Sequence, residues 1–168
     1  YLLNGVEKAD SISISGHKWI FQPKDSSILL FKNTAEANQS ISMSAGYLSS
    51  SNIGIMGSRG AIGLPLLATL MAWGKEGLAK RLDGCMTLSD ELHSYLLETG
   101  VYIFAKPTSG VILWRPRAPY SADEIFLRLP AGSASLATIN GEKWIRHVAA
   151  NPNMEIDLLC SEITTALG

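Results

Sequence analysis

Ala9-Asp10-Ser11-Ile12-Ser13-Ile14-Ser15-Gly16-His17-Lys18-Trp19 is the most informative stretch of the chain. From Ser11 to Ser15 polar and apolar residues alternate with period two, which predicts a strand. Gly16 ends it. A second β-like run, Ser27-Ile28-Leu29-Leu30-Phe31, follows a short connection that contains Pro23. Two strands therefore bracket the turn Gly16-His17-Lys18-Trp19 and put Lys18 just past a strand end. Most lysines are solvated surface charges. This one has a second reading, an amine that its setting activates to form a Schiff base. His17 would then face an anion or a ring, and Trp19 would shield the site. Position alone favours the surface reading.

Outward from this segment, composition narrows the classes. The chain has 168 residues, 46% hydrophobic and 17% charged, which describes a globular chain rather than a disordered polyelectrolyte. Fourteen Lys and Arg against fifteen Asp and Glu give a net charge of −1. No basic stripe exists to neutralise phosphates, so a nucleic-acid partner is not expected. No apolar run approaches the roughly 20 residues that span a bilayer. Cys85 and Cys160 make no disulfide framework, and a reducing cytoplasm is the expected compartment. The opening Tyr1-Leu2-Leu3-Asn4-Gly5 has neither an initiator Met nor the shape of a signal peptide, so a piece of a longer polypeptide is expected.

Residues 33–60 are rich in Ser, Asn and Gly, carry little periodicity and read as a long loop. From Ala61 to about Glu98 apolar residues recur at three- and four-residue spacing. This predicts one long helix, or two broken near Gly74 and Gly77. Gly100 is the C-terminal stop. The remainder reads as a small α+β unit. Strands are expected at 101–105, 110–114, 133–139 and 144–149, with a hairpin turn at Asn140-Gly141. Helices are expected at 122–129, capped by Ser121, and at 155–166. The boundary falls near Thr99-Gly100, giving domains 1–99 and 100–168.

The acidic-Ser, strand, His-Lys pattern resembles the cofactor-lysine segment of the group II pyridoxal-phosphate-dependent amino acid decarboxylases. That family includes the glutamate, aromatic amino acid, histidine, serine and diaminobutyrate decarboxylases. Phe21-Gln22-Pro23 with Ser26-Ser27 resembles the diaminobutyrate branch. Ile55-Met56-Gly57-Ser58-Arg59-Gly60, before a Leu-Pro-Leu helix start, resembles the histidine and serine branch. Trp144-Ile145-Arg146, then Asn151-Pro152, resembles the family's C-terminal segment. Three motifs lie in the family's order and cover nearly the whole chain.

The resemblance implies an α/β fold, the C-terminal part of a fold-type I enzyme. It would comprise the cofactor-lysine hairpin of the large domain, a linking helix and a small α+β domain. It implies that Lys18 forms the internal aldimine with pyridoxal phosphate and later returns a proton, with His17 beside the cofactor's phosphate or ring. It implies that Arg146 pairs with the substrate α-carboxylate, for which a planar guanidinium fork is well shaped. The bland alternative for Arg146 is a surface partner in a hairpin. Ser58 and Arg59 either help hold the neighbouring subunit's cofactor phosphate or fix the loop. Tyr47-Leu48 matches the residues before the family's catalytic loop. Residues 49–56 are short and contain no Tyr, so Tyr47 reads first as a packing residue and second as an α-carbon proton donor.

No Cys, His and Asp cluster has metal-ligand spacing, and no Gly-rich nucleotide loop is present. His93 reads as a partly exposed helix residue. His147 would face away from Arg146 across the strand. The family's aspartate for the pyridinium nitrogen, its phosphate turn and its ring-stacking residue lie upstream of the lysine. An N-terminal portion or complementary chain is therefore expected, and the complete enzyme is expected to be a homodimer. The implied reaction is decarboxylation of a small-molecule L-amino acid to the amine and CO2. The alternatives are another fold-type I reaction (transamination or decarboxylation-dependent oxidation) and a non-catalytic interaction module, against which the retention of Lys18 and Arg146 argues.

Overall fold

The computed structural model describes residues 3–46, the backbone of 52–53, 60–61 and 63–168. The chain forms two compact units, Tyr1–Lys75 and Glu76–Gly168. Drawn by contacts, this division falls within the long helix, whereas the reading by domain type places its boundary after that helix.

The first unit opens with a 3-10 turn and then the strand pair β1 (Ser11–Ser15) and β2 (Ser27–Phe31). The two strands are antiparallel, with Ser15 opposite Ser27 and Ser11 opposite Phe31. Helix α1 (Thr34–Ile41) follows, then two short antiparallel strands, β3 (Ser42–Met43) and β4 (Asn52–Ile53). The helix corrects the expectation of a loop from 33 to 60. Nothing on it is buried, so it leaves no apolar period to read. Its N-terminus is instead fixed by a side chain. The Asn33 carboxamide oxygen accepts from the Glu36 N–H at 3.2 Å, and its NH2 donates to the Glu36 carboxylate at 3.1 Å.

Helix α2 (Leu64–Glu98) is interrupted at Gly74, where φ is 60° and ψ is −168°. That conformation is essentially closed to residues with a Cβ, which makes glycine the required residue there. The expected break near Gly74 and Gly77 is thus located at Gly74. Among the described residues of the first unit the buried ones are Gly16, Gln22 and Ser26, and none is hydrophobic. Leu29, Leu64 and Met71 are 54%, 64% and 78% exposed.

The second unit takes the remainder of α2 and adds β5 (Tyr102–Ile103), β6 (Val111–Arg115), α3 (Ala122–Arg128), β7 (Ser135–Ile139), β8 (Glu142–Val148) and α4 (Ile156–Leu167). Its sheet is antiparallel throughout, in the order β5-β6-β8-β7. This is the α+β unit read from the sequence, with β5 shorter than expected. The Asn140-Gly141 turn has φ of 53° and 81° at its two residues, the positive pair that a two-residue hairpin requires. Ser121 caps α3 in a full capping box with Glu124.

One face of the sheet carries the core. Leu92 and Leu96 of α2, Ile112 and Trp114 of β6, Ile125 of α3, Ile145 of β8 and Leu159 and Ile163 of α4 pack together. Each such aliphatic side chain contributes about 1.5–3 kcal/mol by leaving water. Strict alternation along β8 follows from the pleat. Ile145 and His147 turn to the core, and Trp144 and Arg146 to the other face.

Candidate active site

The turn after β1 is built around a glycine that has no room for a side chain. Gly16 is buried, its N–H donates to the Ser26 carbonyl at 2.9 Å, and its own carbonyl accepts from the Gln22 N–H at 3.0 Å. A Cβ on Gly16 would stand 2.6 Å from Ser26 Oγ. These two hydrogen bonds close the loop at its base. Lys18 N–H donates to the Ser15 carbonyl at 3.4 Å, and Phe21 N–H to the Lys18 carbonyl at 3.2 Å.

Two further residues hold the loop. Phe21 has φ of 55°, an outlying conformation for a bulky residue. Its ring meets Trp73 edge-on, with centroids 6.0 Å apart and planes at 71°. Gln22 is buried, and its Nε2 donates to the Ile20 carbonyl at 2.9 Å and to Thr69 Oγ1 at 3.0 Å. Sequence reasoning quoted Phe21 and Gln22 only as part of a motif. Their structural work rests on a positive φ and a contact 47 positions away, which no local pattern announces.

This brings His17 and Lys18 together as adjacent exposed side chains on one anchored turn. Among the described residues neither forms a hydrogen bond, ion pair or ring contact. Such a donor set, one uncommitted amine and one imidazole at a turn, suits an aldehyde-bearing cofactor with a phosphate. The amine would take the aldehyde carbon and the imidazole the ring or phosphate. Tyr47, Ser58 and Arg59 lie outside the described residues.

Arg146 lies in the second unit. It is half-buried on β8, on the sheet face away from the core, opposite Leu113 on one side and Ser135 on the other. The ion pairs among the described residues join Arg115 to Glu142 at 2.7 Å and Lys143 to Asp123 at 2.6 Å. Neither includes Arg146, whose guanidinium reaches only Ser135 Oγ, at 3.5 Å. A half-buried guanidinium without a carboxylate in reach is open to one brought by a ligand.

The neighbouring His147 is 2% exposed, with its ring stacked on Trp114 at 6.2 Å and 5° between planes. Nδ1 lies 3.1 Å from the Ser133 carbonyl, which can only accept, so Nδ1 carries the proton. Nε2 is then a bare acceptor, buried without a partner. Burial lowers the imidazole pKa to about 4, against a smaller raising effect of the Ser133 carbonyl. His93 is partly exposed on α2. Among the described residues no group of three or more His, Cys, Asp or Glu side chains is placed to hold a metal ion. No described helix is long and apolar enough to cross a membrane.

Comparison with solved structures identifies the fold first. Mouse CSAD superposes with a TM-score of 0.79 at 20% identity, over 98% of this chain and 41% of that one. Oryza sativa TDC with PLP and tryptamine gives 0.78 at 19% identity, over 99% and 41%. The fold is that of the C-terminal portion of a fold-type I enzyme. The model of the pyridoxal-dependent decarboxylase conserved domain matches residues 1–115, and the chain belongs to that family, whose cofactor is pyridoxal phosphate. It is 31% identical to serine decarboxylase 3 of Oryza sativa subsp. japonica over 88% of this chain and 30% of that protein. It is 28% identical to L-2,4-diaminobutyrate decarboxylase of Rhizobium meliloti over 99% and 38%. The chain therefore spans roughly a third of the length of the curated relatives it matches.

Proposed function

We propose that this chain is the lysine-bearing portion of an enzyme that decarboxylates an L-amino acid to its amine, with Lys18 as the residue that holds pyridoxal phosphate. The observation that carries the reading is the anchored Gly16 turn, which presents Lys18 and His17 side by side with neither committed elsewhere.

When bound, the cofactor supplies an electron sink for the pair released as CO2 leaves the α-carbon. The chain's own residues do the rest. Lys18 Nζ would hold the cofactor by its aldehyde carbon and, once released, would carry a proton to the α-carbon. His17 orients the ring or phosphate, and Arg146 orients the departing carboxylate. We assign Ser58 and Arg59 either to the neighbouring subunit's cofactor phosphate or to fixing the loop. We further assign the complete enzyme to a homodimer with an N-terminal portion or complementary chain. The cytoplasm is the proposed compartment, a reading supported by two free cysteines. The domain reading of 1–99 and 100–168 belongs to the same proposal.

Incubation with pyridoxal phosphate, borohydride reduction and peptide mapping tests it. A phosphopyridoxyl group on Lys18 is expected, and Lys18→Ala should lose both the label and CO2 release. A complete protein that labels elsewhere would overturn the assignment. The CO2 screen should include L-serine, L-2,4-diaminobutyrate and the aromatic amino acids, with product analysis. An amine product supports decarboxylation, and a carbonyl product points to transamination or oxidation.

A further inference from the structure

We infer that Ser135 is a positioning residue that orients the Arg146 guanidinium toward a ligand carboxylate, an inference that rests on the reading of Arg146 above. The hairpin register sets Ser135 directly opposite Arg146. Their side chains share the sheet face that does not carry the core. The Ser135 hydroxyl has one hydrogen to give, and the Arg146 main-chain carbonyl lies 3.5 Å from its oxygen. Arg146 Nη1 lies 3.5 Å from the same oxygen. The two contacts are compatible, because a hydroxyl donates once and keeps two lone pairs. Donation to the carbonyl turns those lone pairs toward the guanidinium.

A ring thus closes between the main chain and the side-chain tip of Arg146 through one hydroxyl. Both distances are long, so each contact is weak alone, and their joint effect is to narrow the directions the fork can take. On the other flank Leu113 of β6 is the cross-strand neighbour and offers no hydrogen-bonding group. Five N–H groups belong to a guanidinium. Ser135 engages one nitrogen, and among the described residues the remaining donors are uncommitted. Held from one side only, the fork keeps its free edge for a bidentate partner.

The test uses the holoenzyme with the amino acid that gives most CO2 in the screen, and that amino acid's amine product as a competitor without the carboxylate. Ser135→Ala should raise KM by roughly 3- to 10-fold, the loss of about one modest hydrogen bond. It should leave kcat within about 2-fold and leave inhibition by the amine unchanged, because the amine has nothing for Arg146 to hold. Ser135→Thr keeps the hydroxyl and should restore KM. An unchanged KM, or equal weakening of amino acid and amine, would overturn the inference. Should Ser135→Ala fold poorly, Ser135→Val against Ser135→Thr makes the same comparison between near-isosteres that differ in the hydroxyl. Arg146→Gln separates this failure from that of the parent reading. If Arg146→Gln keeps the preference for the carboxylate-bearing ligand, the role of Arg146 fails and this inference with it. If Arg146→Gln loses that preference while Ser135→Ala keeps it, only the role of Ser135 fails.

Discussion

The two compact units differ in what this chain buries. The second closes a hydrophobic core on one face of a four-stranded sheet, with Trp114, Ile112, Ile125, Ile145 and Ile163 all essentially out of water. The first has a two-stranded ribbon and, among its described residues, no buried hydrophobic side chain. A two-stranded ribbon without a packed face is marginal in water. What the first unit does hold is a fastened loop around Lys18, closed at Gly16 and tied by Phe21 against Trp73 and Gln22 to Thr69. Lys18 thus rests on a fastened loop and Arg146 on a sheet with a packed core behind it, and a substitution should report which support it touches.

The largest expected difference lies in truncating equivalent-looking β-strand residues. Ile145→Ala removes a fully buried side chain and should cost about 2–5 kcal/mol. Leu29→Ala, on an exposed strand, should stay within about 0.5 kcal/mol. Denaturant unfolding of the 168-residue chain measures both, and similar costs would mean that Leu29 is covered in solution.

A second contrast comes from protons. His147 is held unprotonated in the folded core with a pKa of about 4, below the ordinary 6.5. The unfolded chain therefore binds the proton more readily, and stability falls as pH drops. This contribution is complete above about pH 6.5 and is lost through the interval down to about pH 4, roughly 3 kcal/mol in all. Unfolding of the wild type against His147→Phe should give a shallower pH slope for the variant. Parallel slopes would refute the assignment.

The smallest contrast uses the two caps. Ser121→Ala should cost about 1 kcal/mol, because α3 is locked into the core through Ile125. Asn33→Ala removes a cap of similar geometry from a helix that buries nothing. It should leave the global transition in place and lower local helix content, readable by amide hydrogen exchange.

The same contrast explains what was legible in the sequence. The second unit was readable because its signals are ones that cores and tight turns impose: Ser121-x-x-Glu124 before an apolar run, Asn140-Gly141 between β-like runs, and helical spacing from Leu78 to Leu96. Helix α1 was not readable from periodicity. Its one sequence signal is Asn33-x-x-Glu36, a cap without the apolar run that usually follows. At the candidate site Lys18 and Arg146 were singled out by the resemblance of their segments to a family, whereas position alone favoured a surface lysine. The residues that hold them were not legible. Phe21 acts through Trp73, Gln22 through Thr69, and Ser135 through pairing across a hairpin, and each is a relation between positions apart in the chain.

The hairpin turn at Asn140-Gly141 has one more consequence. It works as an indexing mark for the two strands it joins. Arg146 and His147 are consecutive, yet one faces outward and the other lies in the core against Trp114. A slip of one residue would exchange the two faces of β8. It would drive a guanidinium into the hydrocarbon interior and turn the imidazole out to solvent. Each member of the pair thus penalises the other's misplacement. The correct alignment is guarded twice, once by the backbone of the turn and once by the chemistry of neighbours that cannot trade places.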